Sequence, residues 1–372
     1  MKLAVGITCY HTFGGSGIVA TEIGLELARR GHRVHFICAE PPARLPSSMP
    51  NLAFHKVELR DYPLLLEGQY PLALASQMID VAQRERLDLW HVHYALPHAT
   101  SAFLAQQILG PRAPRVVTTL HGTDITLVGN DPSYLPITKF SIEKSDGVTA
   151  PSVALAQATR DNFAITRDIE VIPNFVDTDR FAPNGARAGV PLIVHSSNFR
   201  PLKRVDDVLA VFERVRRERP CRLALLGDGP ERPRIEIEVR ARGLAADVDF
   251  LGEQLDVAAT LRGAHVFLLP SETESFGLAA LEALACGVPV VASRAGGLPE
   301  VIRDGEDGFL LPVGDVDAMA AAVARIVDDA ALHRRLSEAA RAGAVARFAR
   351  APMVTRYERY YEKILSSSSS TP

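Results

Sequence analysis

Two glutamates flank a predicted helix start in the second half of the chain, Glu274 in the preceding loop and Glu282 on the helix. The helix would open at Phe276, Gly277 and Leu278, whose backbone N–H groups have no partner within the helix. Such groups attract anions, so they could hold a diphosphate. Glu274 lies within reach of hydroxyls beyond the phosphate, and the Glu282 side chain leans back towards the helix N-terminus. The pattern predicts that both carboxylates bind hydroxyls of one phosphorylated ligand.

Each glutamate also has an ordinary structural explanation. Glu274 suits a helix N-terminus, where the dipole favours an acid, and Glu282 could be an exposed helix residue. The spacing of the residues that follow favours the binding function. Gly287 ends the predicted helix, Pro289 begins the next strand region, and Gly296–Gly297 form a pair beyond it.

Positive charge near the diphosphate is a second requirement. A phosphate that departs in a reaction gains negative charge, which nearby cations stabilise. Asn198, Arg200 and Lys203 follow a predicted strand of the same half. Lys203 is the candidate phosphate contact and Arg200 could add a second charge, although Arg200 and Arg204 could also be solvated surface residues.

A glycine cluster follows the first predicted strand, where Gly14–Gly17 precede a helix. Formally, Gly15–Ala20 fits G-x-G-x-x-A, and Glu40 stands where a dinucleotide fold keeps its ribose-binding acid, so an NAD-dependent dehydrogenase is one alternative. In that fingerprint the first glycine directly follows the strand, whereas here Cys9–Phe13 intervene. The longer loop could instead reach into a cleft between domains, where Gly15 and Ser16 are candidates for binding the phosphorylated ligand.

Candidate metal ligands are explained better as turn and cap residues. Asp177–Asp179 reads D-x-D, a spacing that holds a divalent ion in some enzymes, but it precedes a short helix that its first residues would cap. The aspartate pairs Asp247/Asp249 and Asp315/Asp317 are likewise typical of turns or caps. The sequence therefore predicts no metal site and no cofactor.

Short apolar runs alternate with helical stretches, which predicts α/β domains with parallel sheets covered on both faces. The predicted strands are Leu3–Thr8, Arg33–Cys38, Leu89–His91, Arg115–Thr119, Gly147–Ala150, Glu170–Ile172, Leu192–His195, Arg222–Leu226, Val248–Phe250, Val266–Leu269, Val288–Ala292 and Gly308–Leu311. The predicted helices include Val19–Arg30, Leu72–Arg86, His98–Leu109, Ser152–Phe163, Asp206–Arg219, Pro233–Arg242, Val257–Arg262, Leu278–Cys286 and Met353–Ile364.

The alternation restarts after a hinge-like segment rich in proline, asparagine and glycine, which begins at Ile172. We predict a first domain over 1–176, a second over 177–351, and a C-terminal helix over 352–366 that packs back on the first. Residues 366–372, a serine run with Thr371 and Pro372, are expected to be a disordered tail. Ligands are expected at the carboxyl ends of the strands.

The composition fits a two-domain cytoplasmic enzyme. The 372 residues exceed what one core usually supports, and a net charge of −3 argues against a nucleic-acid binder. The four cysteines are scattered, which is typical of reduced thiols. No run approaches about 20 apolar residues, so no membrane span or membrane partner is expected. The oligomeric state stays open, a homo-oligomer included.

The stretch from Glu274 to Glu300 reads E-S-F-G-L-x-x-L-E-A-x-A-x-G-V-P-V-V-A-x-x-x-G-G-x-x-E. This resembles the signature of the retaining glycosyltransferases of family 4. The resemblance extends over most of the chain to about residue 350, including Leu225–Pro230, Phe250–Gly252 and Ile172–Phe181. It implies a GT-B fold, in which two Rossmann-like doubly wound domains face each other across a cleft, with a UDP-sugar held by the C-terminal domain.

The resemblance also implies roles for single residues. Glu282 would bind the nucleotide ribose, Glu274 the transferred sugar and Lys203 the phosphate. Asn198 stands at the position of the family's usual arginine, so Arg200 could supply that charge. His121, in Leu120–Asp124, would lie near the sugar and the reaction centre.

The N-terminal half resembles one branch of the family, whose members transfer N-acetylglucosamine from UDP-N-acetylglucosamine to L-malate in bacillithiol biosynthesis. The residues that carry this resemblance are Gly6–Tyr10, Gly14–Glu22, Gly31–Ile37, His91–Tyr94, Thr118–Thr126, Asp131–Ser133 and Phe140–Glu143. A dicarboxylate acceptor needs cations and hydroxyls, for which Tyr94, Thr118, Lys139 and Arg60 are the candidates. Lys139 stands where an arginine is expected. An inositol phosphate acceptor, a membrane-lipid acceptor and a non-catalytic sugar-binding module remain alternatives.

Overall fold

The computed structural model describes residues 1–11, 14–59, 69–126, 128–185, 189–254 and 256–367. The chain forms two compact units. The first contains Met1–Pro173 and the C-terminal segment from Ala351, and the second contains Asn174–Arg350. The chain passes from the first unit to the second after Pro173, three residues before the boundary that the sequence predicts after residue 176.

The first unit is built on a parallel sheet in the order β3-β2-β1-β4-β5-β6-β7. Its strands are β1 Ala4–Thr8, β2 Arg33–Cys38, β3 Leu52–Lys56, β4 Leu89–His93, β5 Arg115–Thr119, β6 Gly147–Ala150 and β7 Glu170–Val171. The helices between them are α1 Gly15–Arg29, α2 Tyr70–Glu85, α3 Thr100–Leu109, α4 Thr123–Thr126, α5 Leu135–Lys144 and α6 Val153–Phe163. All strands run parallel, but the order in which successive strands join the sheet reverses between β1 and β4. The loops after these two strands therefore diverge and leave a crevice at their carboxyl ends.

The second unit repeats the plan with a sheet in the order β10-β9-β8-β11-β12-β13. Its strands are β8 Leu192–Ser196, β9 Arg222–Leu226, β10 Val248–Gly252, β11 Val266–Leu269, β12 Val290–Ser293 and β13 Gly308–Leu311. Its helices are α7 Val205–Glu218, α8 Arg232–Ala241, α9 Val257–Gly263, α10 Leu278–Ala285, α11 Leu298–Val301, α12 Val316–Asp328 and α13 Ala330–Phe348. Here the switch point lies between β8 and β11.

Both faces of the second sheet are covered, as the strand sequences require. Neighbouring residues on one strand point to opposite faces. Accordingly Val194, Phe267 and Leu269 join one buried cluster, whereas Ile193 and Leu268 join another. Because apolar residues occupy consecutive positions, each strand is buried on both sides, which is typical of parallel sheets.

The C-terminal helix, α14 Arg350–Ser366, belongs to the first unit from Ala351 onwards. Tyr360 accepts a hydrogen bond from the backbone N–H of Val148, at 2.9 Å, and the Tyr361 hydroxyl lies 2.7 Å from His91 Nδ1. Ser366, where the predicted helix and the predicted tail overlap, is the last residue of this helix, and 368–372 lie outside the described residues.

Some elements were not predicted. β3 is an edge strand of mostly half-buried residues, and α5 starts with a proline at its second position and carries mixed polarity, so neither has a clear periodic pattern. Among the described helices, none combines the length and the apolar character that crossing a membrane requires.

Candidate active site

Lys203 and Glu274 come together in the second unit, on the two loops that flank its switch point. Lys203 ends a short 3-10 turn after β8, and Glu274 lies in the loop after β11. Lys203 Nζ is 2.5 Å from Glu274 Oε1, and their side chains are only 16% and 12% exposed. The crevice at the carboxyl ends of these strands is where doubly wound sheets bind ligands.

Further hydrogen bonds join these two loops. Ser271 Oγ donates to Glu274 Oε1 at 2.9 Å, and the backbone N–H of Glu272 donates to the carbonyl of Leu202 at 2.8 Å. Ser293, at the end of β12, donates from its hydroxyl to the carbonyl of Ser271. The Glu274 carboxylate is therefore held by its own loop as well as by Lys203.

The N-terminus of α10 is shaped by glycine. Gly277 caps the helix with φ +98°, and a Cβ at this position would lie 2.5 Å from Leu298 Cδ2. A side chain here is excluded both by the backbone conformation and by α11. Phe276 is buried and packs edge-to-face on Phe348, so it anchors the loop while its backbone stays at the helix start. Leu278 is the first helical residue and is half-buried.

The pair Gly296 and Gly297 fits against the Glu274 backbone. The N–H of Gly297 donates to the carbonyl of Glu274 at 2.8 Å, and a Cβ on Gly296, whose φ is +51°, would lie 2.0 Å from the same oxygen. The glycine pair thus allows the loop after β12 to hold the loop that carries Glu274. The sequence identified these glycines by spacing, and the structure supplies the reason for them.

Glu282 is buried, with 8% of the residue exposed, so the alternative of an exposed helix residue is wrong. It lies in the middle of α10, whose other buried residues are apolar. Glutamate is rarely buried among apolar residues, so Glu282 is a candidate for ligand binding.

The loop after β8 presents Asn198 and Arg200 outwards, and buried Phe199 lies between them. Gly227 approaches this loop so closely that a Cβ there would lie 1.9 Å from the carbonyl oxygen of Ser197. Arg204 differs from Arg200, because it pairs with Asp207 in the first turn of α7 at 2.7 Å. Arg200 therefore remains the basic residue of this loop, beside Lys203, that could meet a phosphate.

In the first unit, the N-terminus of α1 lies next to the end of β4. Gly14 is the N-cap residue, with no side-chain cap, and Gly15 is exposed. The Tyr94 hydroxyl, just after β4, interacts with Ser16 and Thr123, while burial raises the pKa of Tyr94 to about 12. These residues follow β1 and β4, the strands of the first switch point.

His121 is packed against aromatic rings and fixed by a buried acid. Its Nε2 lies 2.8 Å from His93 Nδ1, and its ring centroid is 5.0 Å from that of Tyr94. Asp124 Oδ1 accepts the backbone N–H groups of His121 and Gly122, at 3.1 and 2.9 Å. Burial lowers the pKa of His121 to about 3, so its ring is neutral.

The residues predicted to bind the acceptor substrate have different environments in the structure. Thr118 is fully buried and its hydroxyl bonds Ser145 Oγ at 2.6 Å, so the contact with an acceptor predicted for it is wrong in this conformation. Lys139 is partly exposed on α5, 3.7 Å from Glu143. Arg60 lies outside the described residues.

The aspartates of the D-x-D sequence have structural tasks. Asp177 Oδ1 accepts the backbone N–H groups of Asp179 and Arg180, and its Oδ2 pairs with Arg350 at 2.7 Å. Asp315 caps α12 by accepting the N–H of Ala318. Asp315 therefore has the cap function predicted for it, whereas Asp177 closes a turn, because no helix is formed over the described residues 178–185.

The chain matches two models of glycosyltransferase families. Residues 13–180 match the model described as Glycosyltransferase Family 4, and residues 176–343 match Glycosyl transferases group 1. N-acetyl-alpha-D-glucosaminyl L-malate synthase of Bacillus anthracis is 44% identical over 374 residues, 98% of each chain. The chain belongs to glycosyltransferase family 4. A D-inositol 3-phosphate glycosyltransferase of Saccharomonospora viridis is 29% identical over 88% of this chain and 84% of that one.

Solved structures agree on the family's fold. Sucrose-phosphate synthase from Thermosynechococcus elongatus superposes with a TM-score of 0.84 at 23% identity, over 98% of this chain and all of that one. The two sheets are those of the GT-B fold, as predicted. Membership in family 4 makes the chain a glycosyltransferase and rules out the dehydrogenase alternative. Glu40 accordingly pairs with Lys56, at 2.7 Å, on the exposed surface.

Three residues around His121 received no role in the sequence analysis. His91 and His93 alternate along β4, so their side chains share one face of the sheet, and this two-residue spacing was a usable signal. Asp124 was visible only as part of His-Gly-Thr-Asp. Asp124 accepts hydrogen bonds from three backbone N–H groups, including that of Ala95, and this function could be recognised only from the structure.

Proposed function

We propose that this glycosyltransferase transfers N-acetylglucosamine from UDP-N-acetylglucosamine to the hydroxyl of L-malate, the first step of bacillithiol biosynthesis. The observation that carries the proposal is the Lys203–Glu274 pair beside the glycine-opened N-terminus of α10. A cation, a carboxylate and free helix amides together suit a nucleotide diphosphate joined to a sugar. The identity of donor sugar and acceptor is supported by the 44% identical relative, whose name specifies both.

The donor contacts follow from the positions in the second unit. Glu282 would accept hydrogen bonds from the ribose, and the backbone amides at Phe276–Leu278 would meet the diphosphate. Lys203 and Arg200 would add positive charge, and Glu274 would accept hydroxyls of the N-acetylglucosamine. Asn198, next to Arg200 in the exposed loop, would contribute a neutral donor at the same edge.

The chemistry is a substitution at the anomeric carbon. The bond from that carbon to the β-phosphate oxygen breaks, and the electron pair leaves with UDP. The malate hydroxyl oxygen forms the new bond, and its proton passes to the departing phosphate. The sugar is α-linked in the donor and in the product named for the relative, so the configuration is retained. Lys203, Arg200 and the α10 amides would stabilise the charge on UDP.

We also propose that the reaction needs no metal ion. The positive charge that a divalent ion would supply is available from Lys203, Arg200 and the helix amides. Transfer measured in excess EDTA should equal transfer without it. A rate that collapses in EDTA and recovers with Mg²⁺ or Mn²⁺ would contradict this part of the proposal.

The acceptor would be held in the first unit. Tyr94 would provide a hydroxyl, and Lys139 and Arg60 are the candidate cations for the two carboxylates. Gly15 and Ser16, at the start of α1, would instead contact the donor. Lys139 lies 3.7 Å from Glu143, and both side chains are partly exposed. Ion pairs of this kind are weak, so Lys139 could exchange Glu143 for a carboxylate of malate.

The test is UDP release from UDP-N-acetylglucosamine with a series of hydroxy acids and inositol phosphates. L-malate should stimulate release in the wild type, Glu282→Gln should weaken UDP binding, and Lys139→Ala should raise KM for malate while leaving UDP affinity unchanged. Stimulation by an inositol phosphate but not by malate would favour the activity of the Saccharomonospora viridis relative instead.

A further inference from the structure

His93 and His121 form a pair of neutral imidazoles whose shared hydrogen bond can be given a direction. His93 Nδ1 lies 2.8 Å from His121 Nε2, and the two rings stack with centroids 5.1 Å apart. Burial lowers the pKa of both histidines, that of His121 to about 3. Since neither ring is charged, one of these nitrogens carries the proton and the other accepts it.

The other nitrogen of His93 decides between the two arrangements. His93 Nε2 is buried and, among the described residues, has no hydrogen-bond partner. An N–H group there would be a buried donor without an acceptor, which proteins avoid more strictly than an acceptor without a donor. The proton of His93 therefore belongs on Nδ1, where it is donated to His121 Nε2.

We propose that His93 is a positioning residue that holds His121 in the tautomer with its proton on Nδ1, so that His121 offers a hydrogen-bond donor to a substrate oxygen and cannot accept a proton. The proposal rests on the proposed function in one respect, the contact of His121 with substrate. The direction of the His93–His121 bond does not depend on which sugar or acceptor is used.

The surroundings keep both rings in place. His98 Nδ1 donates to the carbonyl of His93 at 2.5 Å, and the His91 ring lies 4.4 Å from that of His93. His91 is itself bonded to Thr119 at 2.6 Å and to Tyr361 of α14 at 2.7 Å. His91 and His98 are thus held by hydrogen bonds of their own beside His93.

A neutral donor suits glycosyl transfer. Positive charge develops on the sugar ring as the bond to the leaving group breaks. A histidinium at this position would repel that charge, whereas a neutral N–H can still orient a sugar hydroxyl. Neutral His121 can therefore orient a sugar hydroxyl without adding positive charge beside the sugar.

The first experiment reads the tautomer directly in the full-length protein without substrate. Long-range ¹H–¹⁵N correlation of ¹⁵N-histidine protein, with the His121 signals assigned through His121→Asn, shows which ring nitrogen carries the proton. We expect Nδ1 of His121 to be protonated in the wild type. Protonation of Nε2 would overturn the proposal, whatever the acceptor specificity of the enzyme proves to be.

Two substitutions at His93 then separate positioning from packing. In His93→Asn the amide nitrogen can occupy the place of Nδ1 and donate to His121, so the tautomer and most of kcat should be retained. In His93→Leu the donor is lost, the His121 proton should redistribute between its nitrogens, and kcat should fall about tenfold. UDP affinity should be unchanged in both, because Lys203 and Glu274 lie in the second unit.

The fluorescence of Trp90, the neighbour of His91 on β4, reports whether each variant is folded. If His93→Leu does not fold, the wild-type spectrum and His93→Asn still decide the matter. Equal losses of kcat in folded Asn and Leu variants, or an unchanged His121 tautomer in His93→Leu, would overturn the proposal. A correct tautomer in an enzyme that ignores malate would refute the proposed function alone.

Discussion

Lys203 Nζ lies 2.5 Å from Oε1 of Glu274, although 71 positions separate the two residues in the chain. The pair joins the loops on either side of the switch point, and both side chains are mostly buried. Each charge therefore compensates the other in the absence of substrate. A bound nucleotide diphosphate-sugar would offer a new partner to both Lys203 and Glu274.

Removal of both members of this pair should destabilise the second unit by less than the sum of the two single removals. Lys203→Met and Glu274→Gln should each destabilise the second unit by about 1–3 kcal/mol, because each leaves a mostly buried charge without the opposite charge beside it. In the double variant the loss should be smaller than the sum of the two. Denaturant unfolding of the three variants measures this coupling, and strictly additive losses would contradict it.

Replacement of Gly296 by alanine should disturb the Glu274 loop. The new Cβ would lie 2.0 Å from the Glu274 carbonyl oxygen, at a backbone φ of +51°. UDP affinity should fall at least about tenfold, with a stability loss of about 1–3 kcal/mol. Gly305→Ala is the matched control, since Gly305 also has positive φ, +77°, but no atom lies within 4 Å of its Cβ position. Calorimetric UDP titrations that give equal losses for both variants would show that φ alone matters.

Asp124→Asn should impair catalysis more than nucleotide binding. Asp124 uses Oδ1 for the N–H groups of His121 and Gly122 and Oδ2 for that of Ala95, 3.1 Å away. An asparagine has one acceptor and would turn an N–H group towards one of these donors. The stability loss should be about 1–3 kcal/mol, with kcat reduced and UDP affinity retained. A variant with normal kcat would show that the His121 turn does not need this carboxylate.

The first unit should lose stability in mild acid. Burial lowers the pKa of His91 and His121 to about 3 and that of His98 to about 4, and it lowers the pKa of His93 well below its usual value. The unfolded chain binds protons at these sites near pH 6.5 and the folded unit does not, so stability is full above that pH and falls as the pH drops below it. The raised pKa of Asp124 acts in the opposite direction but is a single group.

Trp90 is the one tryptophan of the chain and lies on β4 of this unit, so its fluorescence follows the unit selectively. The free energy of unfolding should be at least about 2 kcal/mol lower at pH 5 than at pH 7. His98→Asn keeps an N–H donor for the His93 carbonyl but removes one titrating group, so its pH dependence should be shallower. A stability that is level or rises between pH 7 and pH 5 would contradict the prediction.

Much of the donor site could be predicted from the sequence because its parts are local. The N-terminus of α10 needs Gly277 before it, and the spacing of Glu274 and Glu282 is set by one loop and about one helical turn. Strands such as Arg33–Cys38, Arg115–Thr119 and Arg222–Leu226 were predicted with the bounds observed, because continuous apolar runs bounded by turn residues mark buried parallel strands. The edge strand β3 lacks that signal.

The sequence by itself determined the two-domain α/β class, the family resemblance and the residue types near the donor, since these depend on local pattern and spacing. Only the tertiary structure decided which groups meet. It paired Lys203 with Glu274, buried Thr118 against Ser145, and joined His93 to His121. The physical reason is that strand order brings loops distant in sequence to one edge of a sheet, and no spacing along the chain encodes which of their side chains share a hydrogen bond.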